Sequence, residues 1–231
     1  MRNIVFINEK KLHLQTMSET GNMVQLNNQM TVVNETYVVD GLNIDAYLLK
    51  SKDVFVSSKA LQGLKVAEGL NVYFDLEQYP FFQKLKEMLA NQQKGIFRFK
   101  RKANKNEGVH LLIGDLYVLA SLLGEPKDIQ VKRTNSAVTP YHVIVTISFK
   151  GGSMAHVECT FTTDDREFIE FEWNGIKTII EFNSIEMTTN LETSLPQYNL
   201  SAILASAHKV DQKLMNRLEY FSRVIIGREQ S

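Results

Sequence analysis

The sequence predicts an α/β (α+β) protein: a C-terminal, mostly antiparallel sheet with helices on one face, preceded by a shortened Rossmann-like region. Three observations predict it. Short β-type runs separated by Asn, Gly, Asp and Lys fill the first sixty residues. A long apolar helical stretch, 109–123, stops at Gly124-Glu125-Pro126. Between 142 and 182 the chain alternates apolar and polar residues with period two, the signature of strands that bury one face only.

Composition sets the frame. With 231 residues and 44% hydrophobic content the chain can bury a substantial core, which rules out disorder as its main state. Lys plus Arg (26) equal Asp plus Glu (26), so no global field draws it to nucleic acid or to anionic lipid. Cys159 is the only cysteine, which excludes an internal disulfide framework and suits a reducing, cytoplasmic setting. The apolar run Ile4 to Ile7 is too short for a signal core, and no uncharged stretch approaches bilayer length, so neither export nor membrane insertion is expected.

Along the chain, strands are expected at Ile4 to Ile7, Thr31 to Val33, Tyr37 to Val39, Ala46 to Leu49 and Val54 to Val56, with an amide-rich loop at Gln25 to Gln29. Asn71 to Leu76 reads as a strand. Pro80 then occupies the first turn of a helix whose Phe81, Phe82, Leu85, Met88 and Leu89 recur at helical spacing. Gly95 opens a strand in which Ile96, Arg98 and Lys100 mix apolar and basic residues. The helix 109–123 follows, with Gly124 as a left-handed cap and Pro126 preventing continuation.

The period-two strands come next. Val143, Val145, Ile147 and Phe149 share one face against His142, Ile144, Thr146 and Ser148. Gly151-Gly152 marks a hairpin into Ala155, Val157, Cys159 and Phe161, facing inward, with His156, Glu158, Thr160 and Thr162 outward. Ile169, Phe171 and Trp173 alternate with Glu170 and Glu172, and Asn174-Gly175 turns the chain into Thr178, Ile180 and Phe182. A final helix carries Leu214, Leu218, Phe221 and Ile225 on one stripe.

Three phrases in order, Leu70 to Leu89 with Gln93-Lys94-Gly95-Ile96-Phe97-Arg98, the helix ending Leu122-Leu123-Gly124-Glu125-Pro126, and Leu218 to Gly227-Arg228, resemble the Gfo/Idh/MocA family of sugar and polyol oxidoreductases over about residues 50–228. The resemblance implies a nucleotide-binding-like region, here 1–69, joined to an α/β domain, here 70–231, whose broad sheet often forms the subunit contact. A homo-oligomer formed through that sheet is therefore expected, with Ile144, Phe168 and Ile179 as apolar residues on its outward face.

The chain departs from the family at three places. The Gly-x-Gly-x-x-Gly turn that lets backbone amides approach a pyrophosphate is missing, with Gly21 and Gly41 standing alone after the first runs. The stretch Val54 to Leu61, matched to the family's Glu-Lys-Pro motif, carries serines at 57 and 58. Its lysine, Lys59, is displaced by one, which in a strand would turn it to the opposite face. On the long helix, the family's aspartate and acid/base histidine fall on His110 and Gly114, and a glycine cannot exchange a proton.

The residues singled out are Lys59 and His110 as weak catalytic candidates, and Arg98, Lys100, His110 and Asp115 as substrate-pocket candidates. His110 either lines a pocket or is a solvated helix-start histidine. Asp115 either faces the cleft or bonds a neighbouring chain end, because a buried carboxylate is costly unless paired. Arg98, Lys100, Arg101 and Lys102 form a basic cluster that either meets a sugar phosphate or a carboxylate or is a solvated, charged strand end. His142 and His156 are candidate neighbours across the hairpin, but no third ligand stands at metal spacing.

Cys159 reads as a packed thiol. The functional expectation is a degenerate oxidoreductase relative that binds a sugar-like ligand or a related enzyme subunit and needs no cofactor. The alternative is an active NAD- or NADP-dependent sugar or polyol oxidoreductase with a nonstandard cofactor loop and Lys59, completed by a partner subunit.

Overall fold

The computed structural model describes residues 4–7, 24–26, 36–39, 53–61, 66–89, 94–106, 108–164, 166–184 and 200–227. The chain forms two compact units, one comprising 1–78 and 197–217, the other 79–196 and 218–231. Each contains a six-stranded sheet.

In the first unit, β1 (Ile4–Ile7), β2 (Val24–Leu26), β3 (Thr36–Val39), β4 (Asp53–Ser57) and β5 (Leu70–Tyr73) lie in the order β5-β4-β1-β3-β2, all parallel. Gln25 and Leu26, expected in a loop, therefore belong to a strand, because β3 offers them a ladder. The strands expected at Thr31 to Val33 and Ala46 to Leu49 lie outside the described residues. The strand expected through Leu76 stops at Tyr73, which pairs with Ser57, the last residue of β4. With no ladder beyond that point, the chain tightens into a 3-10 turn, Asp75–Gln78.

The boundary also moves. β5 is bonded to β4 and so belongs to the first unit, which extends past 69 to Gln78 and takes in the returning segment 197–217. That segment carries two elements with no counterpart among the expected strands: α3 (Leu200–Ser206), over the small and apolar stretch, and β12 (His208–Lys209), antiparallel to β5.

The second unit is built from α1 (Pro80–Leu89), β6 (Gly95–Asn104), α2 (Gly108–Leu123), β7 (Pro126–Arg133), β8 (Tyr141–Phe149), β9 (Met154–Thr162), β10 (Phe168–Gly175) and β11 (Ile179–Asn183). The sheet order is β11-β10-β6-β9-β8-β7, antiparallel except for the parallel pair β6 and β9. The period-two expectation holds strand by strand: Val143, Val145 and Ile147, then Ala155, Val157, Cys159 and Phe161, then Ile169, Phe171 and Trp173 are buried. Phe81 of α1 stacks on Phe182 at 3.4 Å and lies 5.2 Å from Phe171, so the helix covers the inward side of β10 and β11.

α2 covers the same face. It is buried from Leu112 to Ala120 and ends where Gly124 takes φ +102°, its N–H donating to Ala120 O at 3.0 Å. Gly95 is required for a different reason: a Cβ there would lie 2.5 Å from the Trp173 ring and 2.6 Å from Asn174 O. α4 (Gln212–Ile226) buries Leu214, Phe221 and Ile225, and Arg133 Nη1 donates to Ile225 O at 2.6 Å near its C-terminus.

Candidate functional site

In the first unit the carboxyl edge of the parallel sheet is the place where such sheets present ligand groups. β4 ends at Ser57 and turns through Ser58 and Lys59. The Ser58 N–H donates to Tyr73 O at 3.0 Å, and the Ala60 N–H donates to Ser57 O at 3.0 Å. Lys59 is exposed in this turn. The opposite-face argument for it assumed a continuing strand and does not apply.

Just beyond β5 the 3-10 turn holds two buried polar side chains, Glu77 and Gln78. Glu77 Oε2 lies 2.7 Å from His208 Nε2, with Glu77 2% exposed and His208 26% exposed. The His208 ring stands edge-on to Phe74, 5.4 Å away. Gln78 Nε2 donates to Phe74 O at 3.2 Å and to Ser206 Oγ at 2.9 Å, and Ser206 Oγ donates in turn to Ala202 O at 2.8 Å.

Tyr73 and Gln78 carry the orphan atoms of this region: the Tyr73 hydroxyl and Gln78 Oε1 are buried without a hydrogen-bond partner. Burial, with the Asp75 charge beside it, pushes the Tyr73 phenol far above its ordinary range, so it stays protonated. Sequence reasoning missed this cluster. Glu77 and Gln78 left a local trace, polar residues between Leu76 and Tyr79, but the partner histidine is 131 residues away and left none.

In the second unit the basic cluster 98–102 separates by strand alternation. Arg98, Lys100 and Lys102 point to the open face and Arg101 points under the helices. Arg101 Nη1 donates to both Asp115 oxygens, at 2.7 and 2.9 Å, with both side chains 1% exposed. Asp115 bonds a side-chain cation of β6 and not a chain end: its carboxylate is held by Arg101. The same pair borders Cys159, whose thiol is pushed well above its usual range by burial and by the Asp115 charge, against a smaller opposing effect of Arg101. The thiol is packed.

His110 is exposed in the first turn of α2, and Gly114 is buried one turn on. Arg98 and Lys100 lie apart from both, on the open face, where Arg98 bonds Glu172 at 3.0 Å and Lys100 approaches Glu170 at 3.7 Å. The four pocket candidates therefore do not converge: Arg98 and Lys100 stand on one side of the sheet, and Asp115 is sealed on the other.

His142 and His156 are not opposite one another across the hairpin. The register sets His142 against Thr160 and His156 against Thr146. His142 Nδ1 lies 3.0 Å from Thr160 Oγ1, while His156 lies 3.3 Å from Thr146 Oγ1 and 3.0 Å from Glu158 Oε1. Among the described residues no group of His, Cys, Asp and Glu gathers as metal ligands, and no helix is long and apolar enough to cross a membrane.

No family model and no curated protein matches this sequence. Solved structures do align with it. One, described as a myo-inositol dehydrogenase from Sinorhizobium meliloti, aligns with a TM-score of 0.48 at 15% identity, covering 63% of this chain and 56% of the other. A UDP-N-acetylglucosamine 3-dehydrogenase from Acidithiobacillus ferrooxidans aligns at 0.47 and 14%, covering 65% and 57%. The WlbA dehydrogenase from Thermus thermophilus, solved with NAD and UDP-GlcNAcA, aligns at 0.48 and 13%, covering 88% and 94%. These neighbours are dehydrogenases of the Gfo/Idh/MocA type. This chain spans little more than half the length of the first two.

Proposed function

We propose that this chain is a binding protein on an oxidoreductase-type frame, taking a sugar-like ligand or a protein partner, with no hydride-transfer cycle of its own. The observation that carries this reading is the sequence that follows β1. The strand order reverses at β1, which pairs in parallel with β3 on one side and β4 on the other. A dinucleotide needs its glycine-rich turn at such a switch point, so that backbone amides can close on the pyrophosphate. Residues 8–23 contain a single glycine, Gly21.

The second unit supports the same reading. On α2, the position matched to an acid/base histidine is Gly114, and the carboxylate next to it, Asp115, is held by Arg101 at both oxygens. Neither can pass a proton to a substrate. The buried thiol of Cys159 suits a reducing, cytoplasmic setting.

Calorimetric titration with NAD and NADP, oxidised and reduced, tests the proposal. The expected outcome is no binding in the micromolar range. Micromolar binding together with cofactor-dependent turnover of any polyol would overturn it.

One observation favours the rival reading, an active NAD- or NADP-dependent enzyme. Lys59 is exposed at the carboxyl edge of the parallel sheet, on the turn after β4. If an activity is found, Lys59→Ala decides: loss of turnover supports the rival, and unchanged turnover removes its central residue.

The open face of the second sheet supports self-association. Besides Ile144 (37% exposed) and Ile179 (66%), it presents Ile96 (43%) and Met154 (41%), while Phe168 is half-buried. Apolar side chains set among paired charges suit a homodimer surface. A monomer in sedimentation at high concentration would count against this.

A further inference from the structure

The sequence holds one Asn-Gly pair, Asn174-Gly175, where β10 turns toward β11. Glycine leaves its backbone nitrogen unshielded by a Cβ, so this is the asparagine whose side chain that nitrogen reaches most easily. The chemistry needs only water and a base. The Gly175 nitrogen loses its proton and attacks Asn174 Cγ, and the new C–N bond expels the side-chain nitrogen as ammonia, leaving a five-membered succinimide. Water opening that ring at Cγ gives aspartate. Water opening it at the main-chain carbonyl gives isoaspartate, in which the chain runs through Cβ and Cγ and is one carbon longer.

Three features of the fold oppose ring closure. Asn174 is paired on both sides, with Ile96 of β6 and with Ile179 of β11, and Gly175 is paired with Gly95. That pairing holds the backbone extended and blocks the rotation about the Asn174 Cα–C bond that the ring requires. The Gly175 N–H donates to Thr178 O at 2.9 Å, which keeps its proton in place. Asn174 Nδ2 donates to Glu172 Oε1, so the amide is drawn toward the residue two before it and away from Gly175.

We propose that Asn174-Gly175 is a latent self-modification site: cyclisation is suppressed in the closed β10–β11 hairpin, proceeds when the hairpin end opens, and through isoaspartate then prevents that end from closing again.

The lock follows from the packing around Gly95. A single Cβ added there would lie 2.5 Å from the Trp173 ring and 2.6 Å from Asn174 O, so the main chain at 173 and 174 has no room for another carbon on that side. Isoaspartate puts the extra carbon into the main chain of residue 174 itself. The Asn174 carbonyl and the Trp173 ring then cannot both return to their places against Gly95. The aspartate product keeps the chain length and re-enters the ladder, but it sets a carboxylate beside Glu172 where an amide donor stood. Arg98, bonded to Glu172 at 3.0 Å, is the cation that offsets it.

Peptide mapping by mass spectrometry in mildly alkaline buffer separates the asparagine, aspartate and isoaspartate forms at 174 and tests the proposal. Conversion in native protein is expected to run at least about tenfold slower than in urea-unfolded protein, since only the open fraction reacts. Glu172→Ala, a change on the open face that leaves the core intact, should raise the native rate roughly threefold by freeing the amide, with the urea rate unchanged. Phe182→Ala removes the ring by which β11 stacks on Phe81 and should move the native rate further toward the urea rate. Emission of Trp173, the only tryptophan, should shift in step with the isoaspartate fraction, and hydrogen exchange around 174–180 should stay raised afterwards. Asn174→Asp should keep the wild-type spectrum.

Equal native and urea rates would overturn the suppression, and a native rate unmoved by both variants would overturn the roles given to Glu172 and to hairpin opening. Isoaspartate-bearing protein with wild-type emission and exchange, or an equal emission shift in Asn174→Asp, would overturn the lock.

Discussion

The two sheets of this protein present their polar chemistry in different places. In the first unit the described strands of the parallel ladder are short, four residues in β1 and β5 and five in β4, and Leu70, Val72 and Tyr73 of β5 are all buried, as in a sheet covered on both sides. Polar residues collect at its strand ends: Ser57 closing β4 with Ser58 and Lys59 after it, and Glu77 and Gln78 after β5. In the second unit β6 runs for ten residues and β8 and β9 for nine, with buried residues alternating with open ones, so one face carries polar side chains with Ile96, Ile144 and Met154 set among them. A parallel sheet concentrates chemistry at its edge and a one-sided antiparallel sheet spreads it over a surface.

The largest expected effect sharpens this contrast where, among the described residues, the second sheet buries charge. Asp115→Ala leaves Arg101 desolvated without its carboxylate, an expected loss of about 3–5 kcal/mol in urea unfolding. Peptides of the second unit should exchange hydrogen faster while those of 53–61 and 66–78 stay as protected as before. Equal loosening of both sets would break the division into two units.

Gly95→Ala should follow, at about 1–3 kcal/mol, because the added methyl meets the Trp173 ring and the Asn174 carbonyl, and backbone cannot yield as a flexible side chain does. Its signature is a change in Trp173 fluorescence, Trp173 being the only tryptophan. An unshifted spectrum with unchanged stability would show that the ring sits elsewhere.

His208→Ala probes the first unit. It removes a hydrogen bond from the buried Glu77 carboxylate, for an expected loss of about 1–2 kcal/mol. Hydrogen exchange should rise around β5 and α3 and not around β8 and β9.

The smallest effect is electrostatic and belongs to the open face. The Glu172 carboxyl is held below its ordinary value of 4.5, first by the Asn174 amide that bonds it and then by Arg98. A depressed folded pKa means that the stabilisation is present above the unfolded value and is lost as pH falls through the folded one. Glu172→Gln should therefore flatten the decline of Tm as pH falls from about 5 to 3. An unchanged slope would show that solvent screens these pairs fully.

Much of the second sheet was legible in the sequence because alternation is a local signal: Val143 to Phe149 and Ala155 to Phe161 declare their inward faces residue by residue. The end of α2 was legible for the same reason, Gly124 and Pro126 acting within one turn. The site was less so. Arg98, Arg101 and Lys102 look alike in a run of basic residues, and only the alternation of β6, with α2 supplying Asp115, separates a buried cation from surface ones. Lys59 was judged by the rule for a strand, although β4 had already ended at Ser57.

Sequence alone determined the inward faces of β8, β9 and β10, the apolar helix 109–123 and its stop at Gly124, the neutral charge balance and the lone glycine among residues 8–23, since all of these depend on residue type and near neighbours. Tertiary structure decided that β5 joins the first sheet, that Glu77 meets His208, and that β6 lies between β9 and β10. Those outcomes come from hydrogen bonds and burial between residues far apart in the chain, which no local pattern encodes.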